Sequence, residues 1–233
     1  MNVVTWNMQG GSARTEQKWE TGVKNMFQTA PELNAMCLQE AGSPPDAAKP
    51  LFDVQIARPG GGYEIVNVFA WGGSASRPFG FILFHNWDTE GHRVNTAIVL
   101  KSTTPPAEAD VRLCWPAAGA THRPALGVVL GSNYLFSFHA ISPKGPDGAA
   151  ILTAVAATAR RNPWYIGADW NRTPDKLVVP PSSVRCLANG PTHPSTKPTE
   201  MYDYFVRSGD EATEGNVVDS LVLSDHLPVA YRF

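Results

Sequence analysis

Acidic, amide and imidazole side chains recur at the ends of apolar runs in this 233-residue sequence. Asn7 follows VVTW, Glu40 follows MCLQ, and Asp225-His226 precedes LPVAY. Comparable positions after LFSF, after YIGA and within MYDYF hold His139, Asp169 with Asn171, and Asp203. Carboxylate and amide oxygens are the ligands that hard divalent cations prefer, and histidines are the common acid–base groups near neutral pH. These residue types therefore predict metal-assisted hydrolysis of a phosphoester.

Each of these residues also has a purely structural interpretation. Asn7 can cap a turn, and Asp169 with Asn171 can form an Asx turn. A single histidine after an apolar strand, such as His139, is more often structural than catalytic. Only the joint occurrence of oxygen ligands and two imidazoles favours catalysis. Phosphoester hydrolysis needs that combination, because a cation offsets the phosphate charge while a positioned base activates water.

Strands and two helices are the elements that have to position these groups. Apolar residues at helical spacing predict one helix over 15–29, ended by Pro31, and another over Gly148–Arg161. The Pro- and Ser-rich segment 173–199 is expected to be a loop, and Gly131-Ser132-Asn133 a hairpin turn. Strands are predicted for VVTWN, AMCLQE, YEIVNVFAW, FGFILFH, VNTAIVL, ALGVVL, YLFSFH, WYIGAD, MYDYFV, VVDSLVL and LPVAYRF.

This pattern indicates an α+β or layered α/β fold with two packed sheets and helices outside. The absence of repeats and linkers predicts a single domain over residues 1–233. A hydrophobic content of 43% and a charged content of 17% are typical of globular proteins. The net charge of −2 excludes a protein that grips nucleic acid by bulk positive charge.

No apolar run is long enough to span a bilayer, so no transmembrane segment is expected. A strand-like run begins directly after Met1 with no signal peptide, which predicts a cytoplasmic protein or a mature form whose leader was removed. The three cysteines are too few for a disulfide framework. Cys37 and Cys114 are expected in the core, and Cys186 is the best candidate for an exposed thiol or a bridge to a partner.

The ordered set from Trp6-Asn7 to Ser224-Asp225-His226 resembles the endonuclease/exonuclease/phosphatase superfamily, which has the DNase I-like fold. Further stretches along nearly the whole chain are similar to one branch, CdtB, the nuclease subunit of cytolethal distending toxin. These stretches are TWNMQGGSARTEQKW, QEAGSPP, SRP, HRVNTAIV, RPALGV and FHAIS. The resemblance implies a four-layer α/β sandwich in which two packed mixed sheets are flanked by helices.

The resemblance also implies a role for each residue. Glu40 would be the main ligand of Mg²⁺ (or Mn²⁺ or Ca²⁺), with Asn7 and Asp225 nearby. Asp169 would orient or deprotonate water, and Asn171 would hold the phosphate. His226 would be an acid–base or phosphate-contacting group that Asp203 orients. The second histidine and the phosphate-contacting arginines would be His139, Arg93 and Arg123.

The chain departs from the superfamily pattern at two points. The usual Gly-Asp-Phe-Asn is replaced by Gly167-Ala168-Asp169-Trp170-Asn171, so a different turn is expected there. The carboxylate that partners the first histidine in DNase I-like enzymes has no clear counterpart, and Glu64 is the candidate.

Three functions compete at this point. The first is a Mg²⁺-dependent DNase that acts as the active component of a secreted bacterial toxin in the host cell nucleus. A protein of this kind implies separate delivery subunits as partners. The second is a phosphatase of phosphoinositides, which the slightly acidic balance favours modestly. The third is an inactive binding subunit, for which only the altered turn argues.

Overall fold

Two mixed β-sheets lie face to face in the computed structural model of the chain, which describes residues 1–11, 15–73, 78–116 and 122–233. The strands, in chain order, are β1 (Asn2–Asn7), β2 (Ala35–Gln39), β3 (Ala48–Ala57), β4 (Tyr63–Trp71), β5 (Gly80–His85), β6 (Thr96–Leu100), β7 (Val111–Cys114), β8 (Ala125–Leu130), β9 (Asn133–His139), β10 (Trp164–Asp169), β11 (Ser183–Cys186), β12 (Asp203–Ser208), β13 (Asn216–Val217) and β14 (Val229–Arg232).

Each sheet contains one parallel pair near its centre. The eight-stranded sheet has the order β13-β14-β1-β2-β6-β5-β4-β3, with β1 and β2 parallel. The six-stranded sheet has the order β11-β12-β10-β9-β8-β7, with β9 and β10 parallel. The other strand pairs in both sheets are antiparallel.

Helices cover the outer faces of both sheets, as expected. Residues 15–29 are helical throughout, as α1 (Thr15–Gln17), a π-helical stretch (Lys18–Lys24) and α2 (Asn25–Thr29). The second helix, α3, covers Gly148–Ala159. Two short 3₁₀ helices lie at Glu108–Asp110 and Pro174–Lys176. Among the described residues, no helix has the length and apolarity needed to cross a membrane.

Three buried layers hold the four-layer sandwich together. The layer between the sheets contains side chains from both of them, including Cys37, Leu83, Leu126, Leu135 and Phe205. A second layer joins the first helical segment to the eight-stranded sheet through Trp19, Val23 and Phe27 packed near Trp6 and Leu38. A third layer joins α3 to the six-stranded sheet through Ile151 and Val155 packed near Phe138 and Ile166. The expected layered fold is therefore confirmed.

Some of the predicted elements are wrong in detail. VVDSLVL was expected to be a strand, but only Asn216–Val217 is one. The expected loop 173–199 contains β11, because it pairs with β12. β3 is an edge strand with mostly exposed side chains, so it lacks the apolar alternation that would reveal it. The predicted hairpin turn is confirmed by the Leu130–Asn133 pairing.

The two parallel pairs bring polar residues to one edge of the sandwich. Asn7 at the end of β1 is in register with Gln39 at the end of β2. Asp169 at the end of β10 is in register with His139 at the end of β9. Because β12 runs antiparallel to β10, its first residue, Asp203, lies beside Asp169. The strand order therefore gathers side chains that are far apart in the sequence.

Candidate active site

A cleft of about 850 Å³ opens at this edge of the sandwich. Its walls contain most of the residues that the sequence singled out: Glu40, Arg93, Arg123, His139, Asp169, Asn171, Asp225 and His226. Asn7 and Asp203 are buried just beneath the cleft, where Asn7 bonds to Glu40 and Asp169 and Asp203 bonds to His226. The structure thus brings the whole predicted set together.

Asp169 lies at the centre of the polar contacts. Its Oδ1 accepts a hydrogen bond from the backbone N–H of Asn171 at 2.8 Å, and its Oδ2 accepts one from Asn7 Nδ2 at 2.8 Å. The Nε2 atoms of two histidines flank the same Oδ2, His139 at 3.5 Å and His226 at 3.8 Å. Burial, and then the charge of Asp203, raise the pKa of Asp169 to about 7. Asp169 can therefore exchange a proton near neutral pH.

The altered turn leaves Asp169 in place, because Ala168 is part of β10 and not of the turn. Ala168 is buried in the outer layer beneath α3, on the opposite side of the strand from Asp169. The missing side chain of Gly167 leaves room for the ring of Phe205, since a Cβ there would be 2.5 Å from the ring. The turn itself is an Asx turn closed by Asn171, whose φ of 48° is left-handed.

His226 is paired with a buried carboxylate. Its Nδ1 lies 2.8 Å from Oδ2 of Asp203, whose side chain is fully buried. Burial alone would lower the pKa of His226, but the Asp203 carboxylate raises it to about 10. Thr192, which no sequence pattern indicated, donates its hydroxyl to the same Asp203 oxygen at 2.6 Å. His226 is therefore an oriented imidazolium at neutral pH.

The Ser224-Asp225-His226 turn is held at both ends. Ser224 donates its hydroxyl to the carbonyl of Asn7 at 2.8 Å, and the indole of Trp6 donates to the carbonyl of His226 at 3.1 Å. The backbone N–H of Ser195 donates to the carbonyl of Asp225 at 2.7 Å. These bonds explain the adjacent Asp and His: His226 turns inward to Asp203, while the 43%-exposed side chain of Asp225 faces the cleft.

Glu40 follows β2 in a left-handed conformation, with a φ of 45°. The turn is possible because Gly10 lacks a side chain, since a Cβ at Gly10 would be 2.3 Å from the Glu40 carbonyl oxygen. Asn7 Nδ2 donates to the Glu40 carboxylate at 3.2 Å. Burial raises the pKa of Glu40, and the neighbouring charge of Asp225 adds to this effect. A bound cation would relieve both.

His139 is neutral in this environment. Burial, followed by the charges of Arg123 and His226, lowers its pKa well below the usual value. Its Nε2 lies 3.7 Å from Glu40 and 3.5 Å from Asp169. Its Nδ1 is buried and has no hydrogen-bond partner among the described residues.

The expected pairing of His139 with Glu64 is wrong. Glu64 lies on β4, which β5 and β6 separate from β2. Its carboxylate contacts Arg58 at 3.2 Å and His85 at 3.4 Å instead. The prediction for Cys186 is wrong as well, because this residue of β11 is fully buried in the layer between the sheets.

Two arginines contribute positive charge to the cleft walls. Arg93 belongs to a loop that Asp88 organises by accepting the backbone N–H groups of Gly91 and Arg93 at 2.8 and 3.2 Å. The buried Asn95 holds this loop to the carbonyl of Gly42 at 2.9 Å. Arg123 lies beside His139, and its Nη1 donates to the His139 carbonyl at 3.4 Å. Both guanidinium groups are available to an anion in the cleft.

His193 is a further cleft residue that sequence reasoning missed. Its ring stacks on Tyr202, with centroids 5.5 Å apart, and lies 4.5 Å from the ring of His226. Its Nε2 is 3.9 Å from Asp225. The segment around it looked like an ordinary Pro- and Ser-rich loop. Only the isolated bridge between His193 and Glu200 folds it over the cleft.

The donor set suits a hard cation at Glu40 and Asp225, whose carboxylates face the same cleft. Asn7 does not fit as an oxygen ligand, because its Oδ1 accepts the Gln9 N–H at 2.9 Å and its nitrogen faces the carboxylates. Two His/Asp groups have ligand atoms within 4.8 Å of one another: His193, Asp225 and His226, and Asp169, Asp203 and His226. Both need a neutral His226, which its pKa of about 10 opposes.

Comparison with known proteins places this geometry in a family. The CdtB homolog of Salmonella typhi, a relative of the cytolethal distending toxin component, is 32% identical over 245 residues, which cover 98% of this chain and 88% of that protein. The CdtB protein of Escherichia coli is 33% identical over 186 residues, which cover 76% and 66%. No protein-family model matches the sequence.

Solved structures agree with these relatives. The crystal structure of cytolethal distending toxin from Actinobacillus actinomycetemcomitans contains a chain that is 25% identical, with a TM-score of 0.81 over 99% of this chain and 97% of that one. The AP endonuclease LMAP from Leishmania major shares the fold at 12% identity, with a TM-score of 0.57 over 99% and 86%. The chain belongs to the CdtB family of cytolethal distending toxins, within the DNase I-like endonuclease/exonuclease/phosphatase superfamily.

Proposed function

We propose that this protein is a Mg²⁺-dependent phosphodiesterase that cleaves DNA. The observation that carries the proposal is the pairing of His226 with Asp203 at 2.8 Å, directed at the buried Asp169 in the cleft. This arrangement places a cationic donor next to a carboxyl group that exchanges protons near pH 7. A phosphodiester requires both groups, because its oxygens repel nucleophiles and its attacking water must lose a proton.

Asp169 is proposed as the base. Its Oδ2 accepts the proton of the attacking water, and its pKa of about 7 suits this transfer. Asn171 keeps the other carboxylate oxygen occupied through its backbone N–H at 2.8 Å, so that one oxygen is left for the reaction. His226 donates from Nε2 to a nonbridging phosphate oxygen, and Asp203 holds its ring.

The anionic oxygens are proposed to be held from several sides. Arg93 and Arg123 supply guanidinium groups, whose planar donors match phosphate oxygens. His139, which is neutral, donates a hydrogen bond from Nε2. Glu40 and Asp225 are proposed to hold the Mg²⁺ ion, which when bound supplies positive charge to the phosphate and the leaving oxygen. Asn7 keeps the carboxylates of Glu40 and Asp169 in position.

We further propose that residues 1–233 act as one domain and as the active component of a secreted bacterial toxin. Membership of the CdtB family supports this role, and so does the name of the Salmonella typhi relative. Separate delivery subunits would then be partners, and the host cell nucleus would be the site of action.

Nicking of supercoiled plasmid tests the proposal. The wild-type protein should nick in Mg²⁺ and not in EDTA. His226→Ala and Asp169→Asn should each lower the rate by roughly 10²- to 10⁴-fold, the usual contribution of a general acid or base. Asp219→Asn is the matched control, because Asp219 is exposed and does not line the cleft. Circular dichroism should show that all four proteins are folded.

Nicking that survives both cleft substitutions would overturn the proposal. An intact plasmid combined with phosphate release from a phosphoinositide would instead establish a lipid phosphatase with the same site. An intact plasmid with neither activity, from folded protein, would point to a binding role.

A further inference from the structure

Lys144 has an unusual backbone conformation at the rim of the cleft. It lies in the short connection between β9 and α3 and has a φ of 71°. A left-handed φ strains residues that have a side chain, whereas glycine adopts it freely. Gly145, the next residue, also has a positive φ of 47°. A lysine at such a position is retained at a cost to stability, which directs attention to its side chain.

The backbone of Lys144 is fixed by its neighbours. Arg172 donates from Nε to the Lys144 carbonyl and from Nη1 to the Lys176 carbonyl, the latter at 3.0 Å. The N–H of Gly145 donates to the Ile141 carbonyl at 2.9 Å. Gly145 also packs so closely on Trp170 that a Cβ would be 2.1 Å from its carbonyl oxygen. The connection therefore presents the Lys144 side chain from a rigid base.

The charge of Lys144 is not neutralised locally. Within the part of the chain that the structure describes, neither Lys144 nor Arg172 forms an ion pair with a carboxylate. Lys144 is exposed and lines the same cleft as His139 and Asn171. The proposed groups for the reacting phosphate, Arg93, Arg123 and His226, do not include it. Its ammonium is a free point charge for another anion.

We propose that Lys144 binds a second phosphate of a DNA chain, one that flanks the phosphate being cleaved. This inference rests on the proposed function and specifies its substrate as a polyanionic chain. A cleft of about 850 Å³ leaves room for more than one phosphate group. An isolated phosphate ester has no second phosphate to occupy Lys144. The residue is thus a substrate-binding residue that favours DNA over small phosphate esters.

The salt dependence of DNA binding tests this role. Each phosphate contact contributes about 0.9 to the slope of log affinity against log salt for duplex DNA. Binding of a labelled duplex is measured by fluorescence anisotropy in Mg²⁺, with Asp169→Asn in every protein to block cleavage. Lys144→Ala should reduce the slope by about 0.9, so the affinity ratio between about 50 and 200 mM salt falls about threefold.

Three further variants separate the ammonium from other effects. Lys176→Ala removes an exposed charge beside the same Arg172 and should leave the slope unchanged. Lys144→Gly relieves the backbone strain but lacks the charge, so it should behave like Lys144→Ala. Lys144→Arg should retain the wild-type slope. With Asp169 intact, hydrolysis of bis(p-nitrophenyl) phosphate by Lys144→Ala should stay within about twofold of wild type, because that diester has one phosphate.

The outcomes distinguish this inference from the proposed function. An unchanged slope in Lys144→Ala overturns the inference even if plasmid is nicked. An equal loss on the small diester also overturns it, because Lys144 would then contact the reacting phosphate. A reduced slope with normal hydrolysis of the diester supports it, and it does so whether or not the wild-type protein nicks plasmid.

Discussion

The Nδ1 atom of His226 lies 2.8 Å from Oδ2 of Asp203, across 23 residues of sequence. Both side chains are buried, and Thr192 donates a further hydrogen bond to the same Asp203 oxygen. A carboxylate that binds one ring nitrogen fixes the other nitrogen as the one that faces the cleft. This relationship makes an oriented acid–base group out of a polar turn that precedes β14.

The stability of the protein should fall as pH rises through the alkaline range. The pKa of His226 is about 10 in the folded state and 6.5 in its ordinary state. Between these values the folded state holds the extra proton, so the free energy of unfolding decreases by up to about 1.4 kcal/mol per pH unit. The window from about pH 7.5 to 9.5 lies above the pKa of about 7 of Asp169.

Urea unfolding across that window measures the effect in the wild type and in His226→Gln. The variant lacks the titrating imidazole, so its free energy of unfolding should change less with pH. Parallel curves for the two proteins would show that His226 is not charged in the folded state.

Thr192 should act as a positioning residue for Asp203. Thr192→Val keeps the shape but removes the hydroxyl that donates at 2.6 Å. Loss of one such bond costs about 1–3 kcal/mol, so kcat for DNA should fall roughly tenfold while KM changes less than about threefold. Thr192→Ser should restore kcat. A change in KM alone would contradict the role, and equal losses in Val and Ser variants would indicate a packing effect.

Mg²⁺ should raise the melting temperature through Glu40. A ligand at about 100 times its Kd stabilises the folded state by about 2.7 kcal/mol, or roughly 5–10 °C for a chain of this size. Glu40→Gln should abolish most of this shift, since it removes the charge that the cation offsets. Glu108→Gln, at an exposed position, is the control. A full shift in Glu40→Gln would place the ion elsewhere.

The cysteines should be unreactive in the folded protein. Cys37, Cys114 and Cys186 are buried and free, and burial raises the pKa of each thiol, to about 11 for Cys114. Thiolate is the reactive form, so Ellman's reagent should label all three only after unfolding. Rapid labelling of one thiol in the native protein would mean that Cys186 is exposed after all.

Much of the fold follows from local sequence patterns. The apolar runs of β1, β2, β9 and β10, and the helical spacing of residues 15–29, identify the elements, because side-chain periodicity records which faces are buried. Elements without such periodicity escaped detection. The exposed edge strand β3 and the short β11 owe their structure to pairing with β4 and β12.

The members of the candidate site were also recognisable in the sequence, as polar residues at strand ends in a family-like order. By itself the sequence determined the residue types, their order and the family to which the chain belongs. Only the tertiary structure decided their contacts. It paired Asp203 with His226, turned the amide nitrogen of Asn7 to the carboxylates, and brought His193 and Lys144 to the cleft. These contacts join residues distant in sequence, and long-range strand pairing, which leaves no local pattern, sets their geometry.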